Sequence, residues 1–186
     1  MEKRMNRFWQ SAIGSCLVGM SLVATGCGIT TASAADERVG GTAQKLSGSF
    51  RLIARHSGKC LGVSAASQDN GAKLIQWDCT GGGEQRFSFA DGPDGHTEIR
   101  PGHSGFNKCL GVSQGKSDNG TNVIQWDCTG GNEQKYRLEG VGDGYYRIHP
   151  RHSDKCLGVS ASSQDNGAEV IQWDCVAVSD QLFKLD

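Results

Sequence analysis

A unit of about 48 residues occurs three times in this chain, and each copy holds two cysteines that lie 19 positions apart. Every copy runs from Cys-Leu-Gly-Val-Ser through Asp-Asn-Gly to Ile-Gln-Trp-Asp-Cys. A unit this short cannot bury an adequate core alone. The repetition therefore predicts three copies of one supersecondary unit that share a single core.

Short apolar or alternating runs recur within each copy, and in the first they cover 50–54, 60–63, 74–78 and 87–90. Glycine, serine or Asn-Gly separates these runs, which is typical of strands joined by tight turns. No helical periodicity is sustained after residue 34. We therefore predict an all-β fold with four strands per copy, twelve in all, arranged around a pseudo-threefold axis.

The cysteine spacing also predicts the disulfides. Six cysteines can pair in many ways, but only local pairing places one bridge equivalently in every copy. The predicted bridges are Cys60–Cys79, Cys109–Cys128 and Cys156–Cys175. A metal site is the other use of clustered cysteines, but Cys-x-x-Cys and His-x₃-His spacings are absent from the sequence. We expect neither a metal nor a cofactor.

The N-terminus has the layout of a secretory signal peptide over residues 1–34, with cleavage between Ala34 and Ala35. A transmembrane anchor and a lipid anchor on Cys27 are the alternatives. We expect residues 35–47 to be flexible and the protein to be secreted. The part after residue 34 has 16 Lys and Arg against 19 Asp and Glu. This balance argues against nucleic acid or an anionic membrane surface as a partner.

Each copy ends on a Gln-x-aromatic motif, which completes a family resemblance. With Cys-Leu-x-Val and Gln-Trp-x-Cys, residues 48–186 resemble the ricin B-chain lectin family, in copies of about 48–94, 95–143 and 144–186. The resemblance implies the β-trefoil fold and carbohydrate binding, also found in modules appended to secreted microbial enzymes. It implies that the terminal aromatics fill the core, where the family usually has Trp: Phe87, Tyr136 and Phe183.

The resemblance further implies that the Trp two positions before each second cysteine stacks on a sugar ring: Trp77, Trp126 and Trp173. Packing in the core is the alternative role for these rings. Polar candidates for the same sites are Asp78, Glu84, Gln85, Asp127, Glu133, Gln134, Asp174 and Gln181. The Gln residues match the family but could equally brace the backbone, and the carboxylates could belong to a solvated loop. Amides of Asn70 or Asn119 could contribute to a rearranged pocket.

Three departures from the family pattern occur in every copy and argue against galactose recognition in the ricin manner. The family's pocket Asp is replaced by Gly62, Gly111 and Gly158. A Gln before the Trp is replaced by Ile75, Ile124 and Ile171. An Asn before the terminal Gln is replaced by Glu84, Glu133 and Asp180. In the third copy Thr-Gly-Gly also becomes Val176-Ala177-Val178, so we expect a reshaped or inactive site there.

These features predict a secreted, monomeric, non-catalytic protein that binds polysaccharide or glycan through several sites. The alternative is a β-trefoil that serves as a protein-interaction scaffold, such as a protease inhibitor or toxin companion. A secreted hydrolase is disfavoured because no unrepeated acid pair or nucleophile motif occurs in the sequence. His56, His103 and His152 recur before each first cysteine, and we expect them to stabilise turns rather than bind metal or sense pH.

Overall fold

A computed structural model describes residues 46–186. The predicted signal peptide and residues 35–45 of the predicted flexible segment (35–47) lie outside the described residues. Leu46, in the described end of that segment, packs against the core. In the described part of the chain, no helix has the length and apolar character that a membrane span requires.

Each copy contributes four strands, as predicted. Those of the first copy are β1 (Ser49–Phe50) with β2 (Leu52–Ala54), β3 (Cys60–Val63), β4 (Leu74–Trp77) and β5 (Phe87–Asp91). Those of the second are β6 (Thr97–Pro101), β7 (Lys108–Val112), β8 (Val123–Asp127) and β9 (Tyr136–Gly142). Those of the third are β10 (Tyr145–Pro150), β11 (Cys156–Val159), β12 (Val170–Trp173) and β13 (Phe183–Leu185). The first strand is divided at Arg51 because it changes partner there, from β5 to β13.

Six of these strands close into a barrel. The order β1–β5–β6–β9–β10–β13–β2 returns to the strand from which it started, since β1 and β2 are two halves of one strand. Closure leaves the barrel without an exposed edge. The other strands form three hairpins, β3–β4, β7–β8 and β11–β12, one from each copy. A closed barrel with three hairpins in threefold repetition is the β-trefoil, and the predicted fold is confirmed.

Three equivalent residues, one from each hairpin, meet at the pseudo-threefold axis, and we call Lys73, Asn122 and Glu169 the axial trio. Lys73 Nζ forms an ion pair with Glu169, and Asn122 Nδ2 donates to Glu169 Oε2 at 2.6 Å. The hydrogen bond from Lys73, followed by that from Asn122, holds the pKa of Glu169 below its ordinary value. Three identical residues could not form this contact, so the axial trio depends on a difference between the copies.

The core repeats the same positions in every copy, all at most 2% exposed. They are Leu52, Ile99 and Ile148; Leu61, Leu110 and Leu157; Val63, Val112 and Val159; and Leu74, Val123 and Val170. Phe87, Tyr136 and Phe183 are fully buried among them, as the resemblance implied. All three predicted disulfides are present, and each joins a buried cysteine of a hairpin strand to the residue that follows its Trp-Asp pair. The bridges hold the second strand of each hairpin against the first.

Within residues 46–186, seven short 3-10 helices connect the strands. They are η1 (Ser64–Ala66), η2 (Gly83–Gln85), η3 (Gly102–Ser104), η4 (Ser113–Gly115), η5 (Asn132–Gln134), η6 (Ser160–Ser162) and η7 (Ser179–Gln181). The turns η1, η4 and η6 follow the first hairpin strand of each copy, whereas η2, η5 and η7 precede the last strand. These two sets of turns form the sides of the candidate sites.

Candidate functional site

Three Trp side chains lie open at the surface at equivalent places in the three copies. Trp77, Trp126 and Trp173 are 44%, 43% and 45% exposed. Alternation along each strand explains their position: Leu74 and Gln76 face inward, so Ile75 and Trp77 face outward. The rings are therefore not part of the core. Their contact with a sugar stays a prediction.

Each Trp forms one wall of a cleft, and we name the clefts by copy. The first cleft (Trp77) and the third (Trp173) have volumes of about 470 Å³, and the second (Trp126) about 570 Å³. The floor is a Gly–Ile pair, Gly62 opposite Ile75 in the first copy and its equivalents in the others. The turns η1, η4 and η6 form the opposite wall, and η2, η5 and η7 close one end. A concave site with an aromatic wall and a few polar groups is suited to a small ligand.

The glycine at the floor of each cleft is required by packing. A Cβ on Gly62 would lie 2.9 Å from Cγ of Gln85, and the same approach recurs at Gly111 and Gly158, at 2.9 and 3.0 Å. Real Cβ atoms essentially never lie closer than 3.0 Å to a neighbour, so a side chain at Gly62 or Gly111 requires the Gln to shift, and one at Gly158 requires it to give slightly. The position that carries the family's Asp is therefore closed to any side chain here unless the Gln moves.

The three Gln residues behind the floor brace the loop that follows each second cysteine. Gln85 is 2% exposed, its Nε2 donates to the carbonyl of Asp78 at 2.9 Å, and its Oε1 accepts from the amide of Thr80 at 2.8 Å. Gln134 and Gln181 make the equivalent bonds. Both ends of each amide are thus engaged by the backbone, and a ligand contact from these groups stays a prediction.

The Asp beside each Trp is held by two partners rather than standing free. Asp78 pairs with Lys59 at 2.5 Å and accepts a 2.8 Å hydrogen bond from Asn166 of the third copy. The hydrogen bond from Lys59, followed by that from Asn166, keeps the pKa of Asp78 below its ordinary value. Asp127 and Asp174 have the same kinds of partner, with the same lowering of pKa: Lys108 with Asn70, and Lys155 with Asn119.

The Asn-Gly turn of each copy supports the Trp of the next copy. The glycine lies against the indole edge, since a Cβ on Gly167 would be 3.7 Å from Cζ3 of Trp77. Gly71 and Gly120 approach Trp126 and Trp173 in the same way, at 3.8 Å. All three glycines have positive φ, between 85° and 92°, as this turn sequence favours. The aromatic wall of every cleft is therefore supported by a turn of the neighbouring copy.

A buried Gln in each hairpin was not among the predicted site residues, although it anchors the same junction. Gln76 is fully buried, and its Nε2 donates to the carbonyls of Ser163 and Asp165 in the third copy, at 2.7 and 2.9 Å. Gln125 and Gln172 repeat this arrangement. The alternation in Leu-Ile-Gln-Trp already places this Gln on the inward face, and that pattern could have identified it.

The recurrent histidines, which we expected to stabilise turns, each lie at hydrogen-bond distance from a turn carbonyl of a neighbouring copy. His56 Nε2 lies 2.8 Å from the carbonyl of Ser163, His103 Nε2 2.8 Å from that of Ser67, and His152 Nε2 3.0 Å from that of Lys116. Each ring thus lies at a different junction between copies.

Glu84, Glu133 and Asp180 are half-buried at the end of their clefts. The Glu84 carboxylate accepts a hydrogen bond from Thr80 Oγ1 at 3.2 Å.

Among the described residues, two groups of potential metal ligands contain a disulfide: His149 with Cys156–Cys175, and Glu98 with Cys109–Cys128. A sulfur in a disulfide is not the thiolate that binds metals.

A family model described as "Ricin-type beta-trefoil lectin domain" matches residues 48–183. The chain belongs to this family. A search of curated proteins gave no match. Among solved structures, this lectin-family chain is similar to the designed threefold-symmetric protein ThreeFoil. The two share 41% identity over 75% of this chain and 98% of ThreeFoil, with a TM-score of 0.72.

Two natural proteins of known structure are also similar to this member of the ricin-type lectin family. The exo-β-1,3-galactanase 1,3Gal43A from Clostridium thermocellum has 31% identity over 75% of this chain, with a TM-score of 0.72. The hemolytic lectin CEL-III has 28% identity over 73% of this chain, with a TM-score of 0.59. The matched region spans only 30% and 29% of those two proteins.

Proposed function

We propose that this protein is a secreted, non-catalytic carbohydrate-binding protein that recognises polysaccharide or glycan through its three clefts. The observation that carries the proposal is the set of three exposed indoles, each 43–45% exposed on the wall of a cleft. An indole face is apolar and flat, and it matches the C–H face of a pyranose ring. The kinship with lectins and with a galactanase module supports the same ligand class.

The carboxylates in the clefts support binding without catalysis. Each cleft is lined by one carboxylate only: Glu84 in the first, Glu133 in the second and Asp180 in the third. Glycoside hydrolysis by the common mechanisms needs two carboxyl groups on either side of the scissile bond. The neighbouring Asp residues are tied to Lys and Asn instead.

Three clefts on one rigid body favour a repetitive ligand. A single shallow cleft is expected to bind at about millimolar Kd. Simultaneous use of two or three clefts raises the apparent affinity by about 10²–10⁴-fold.

The three disulfides fit an oxidising compartment, which supports secretion. Export of the full chain and N-terminal sequencing of the product tests this part, with Ala35 as the expected first residue.

The binding proposal is tested with insoluble polysaccharides and a glycan array, using the wild type and a variant with Trp77→Ala, Trp126→Ala and Trp173→Ala. Removal of one stacked indole is expected to weaken its cleft by about 10- to 100-fold, so the triple variant should show no retention. Phe106→Ala is the matched control, because Phe106 is an exposed aromatic, 37% exposed, outside the three clefts. A folded triple variant that binds the same glycan as well as the wild type would refute the proposal. A blank array together with a captured protein partner would favour the scaffold function.

A further inference from the structure

The third cleft differs from the other two at its rim. Where the first two copies have Thr-Gly-Gly after the second cysteine, the third has Val176-Ala177-Val178. Val176 and Val178 are 45% and 41% exposed, and both line the cleft together with Trp173. The third cleft is present rather than closed, and its rim has two valine side chains where the others have a threonine and a glycine.

The third cleft also differs in where its carboxylate lies. In the first two copies the carboxylate folds back over a glycine, because a Cβ on Gly82 or Gly131 would overlap the carboxylate of Glu84 or Glu133. Val178 has a side chain at that place. Its neighbour Asp180 is one methylene shorter than Glu, and its Oδ2 lies 3.6 Å from where a Cβ of Gly158 would be. Asp180 thus places an acceptor above the floor of the third cleft, whereas the carboxylates of Glu84 and Glu133 lie over Gly82 and Gly131.

We infer that the third cleft selects a hexose that carries a methyl group, such as an acetamido or a 6-deoxy sugar. The pyranose face lies on Trp173, a sugar hydroxyl donates to Asp180, and the methyl group packs against Val176 and Val178. This inference rests on the proposed function and names the ligand class of one of its three sites.

The selectivity follows from the apolar surface at the rim. The two valines are exposed to water in the free protein, and a methyl group removes part of that surface from water on binding. Burial of one methyl group corresponds to about a four-fold gain in affinity. In the first two clefts the equivalent positions are Thr, with one methyl group, and Gly, so a methyl group on the sugar has less apolar surface to cover there. The preference should therefore belong to the third cleft alone.

The experiment compares sugars that differ by one substituent, using the full chain. The first arm pairs N-acetyl- with N-formyl-glucosamine and N-acetyl- with N-formyl-galactosamine, and the second pairs L-fucose with L-galactose and L-rhamnose with L-mannose. Indole N–H shifts in NMR spectra of the wild type report each cleft separately, once the Trp173 signal is assigned with Trp173→Phe. At Trp173 we expect the Kd of the sugar without the methyl group to be about four times that of its methyl-bearing partner in at least one arm. At Trp77 and Trp126 the same Kd ratio should be near one.

Val176→Thr combined with Val178→Gly is the matched variant, because it restores the residues of the other copies at both positions. It should keep the fold and bring the ratio at Trp173 to about one. Equal affinity for both members of every pair at Trp173 refutes the inference, and so does a third cleft that binds no sugar while another cleft binds. A persisting ratio in the valine variant refutes the assignment to these side chains. Absence of sugar-induced shifts at all three indoles refutes the proposed function itself.

Discussion

Tyr136→Phe should stabilise this protein, although it removes a polar group from a native residue. Tyr136 is fully buried, and its hydroxyl has no hydrogen-bond partner among the described residues. The equivalent core residues of the other copies, Phe87 and Phe183, have no such group. A buried hydroxyl without a partner costs about 1–3 kcal/mol, and the phenyl ring retains the packing. A small void remains where the oxygen was, so we expect a net gain of about 1 kcal/mol in the free energy of unfolding.

The expected change in melting temperature follows from the size of the domain. The entropy of unfolding is about 2.1 cal/mol/K per residue, so over the 141 described residues a gain of about 1 kcal/mol raises Tm by about 3 °C. Thermal unfolding monitored by circular dichroism at neutral pH measures this shift. The reverse changes, Phe87→Tyr and Phe183→Tyr, are the matched controls and should lower Tm. A Tyr136→Phe variant that melts below the wild type would show that the hydroxyl has a favourable partner.

The pH dependence gives an independent check. Burial, followed by the charge of Glu133, raises the pKa of Tyr136 far above its ordinary value. Below about pH 10 the Tyr136 hydroxyl is neutral in both the folded and the unfolded chain, so its contribution to the free energy of unfolding is constant. As the pH rises further, the unfolded chain ionises first because the pKa is raised in the folded protein, and the wild type loses stability. Above about pH 10 the advantage of Tyr136→Phe should therefore grow by about 1.4 kcal/mol per pH unit. A difference that stays constant between pH 9 and pH 11 contradicts this reasoning.

Three further perturbations test other parts of the structure. Gly111→Ala should lower the free energy of unfolding by about 1–3 kcal/mol, measured by urea denaturation, because the new methyl group meets a fixed Gln side chain. Replacement of Cys109 and Cys128 by serine should cost about 3 kcal/mol, measured in the same way, because a loop closed across 19 residues is released in the unfolded chain. The hydrogen bond from Lys73 lowers the pKa of Glu169, so this stabilisation is present above about pH 4.5 and is lost as the pH falls. A melting profile from pH 7 to pH 2 should thus fall less steeply for Glu169→Gln.

Each of these has a control and an opposing outcome. Gly140→Ala places a methyl group at 3.9 Å from the nearest neighbour and should leave stability within about 0.5 kcal/mol. If Gly111→Ala is equally harmless, the Gln side chain moves freely and the packing argument fails. For the disulfide, unchanged stability of the serine variant would mean that the reduced chain is already constrained. For Glu169, parallel acid profiles of wild type and variant would show that the axial trio does not hold the carboxylate.

Much of the fold was predictable because it follows from local patterns repeated three times. The alternation in Leu74–Trp77 fixes which residues face the core, and the equal cysteine spacing indicates local bridges. The exposure of the indoles follows from the same alternation. The sequence did not show that the first strand divides at Arg51, because that depends on a change of partner between strands far apart in the chain.

The contacts between copies were not predictable, because sequence spacing does not show which residues of one copy lie opposite which residues of the next. Asn166 and Asp78 meet across 88 positions. Asp180 likewise lies near Gly158, with its Oδ2 3.6 Å from the ideal Cβ position, and sequence spacing does not show this placement. In the second copy, two extra residues precede Lys108, and Ser104 donates to the carbonyl of Pro101. In the other copies the equivalent Ser donates to the buried Gln of its hairpin.

The support that each copy gives to the next runs in a circle, from the first to the second, the second to the third and the third back to the first. A single copy cut out of the chain would carry a Trp without its supporting turn and a turn with no Trp to support. Three separate copies would have to associate before every Trp had its supporting turn. The two ends of the domain lie side by side, where the backbones of Arg51 and Asp186 are hydrogen-bonded at 2.7 and 3.1 Å. A circular permutant that joins those ends and opens the chain at another junction would therefore preserve every supporting contact. The clefts thus do not depend on the order in which the copies are synthesised.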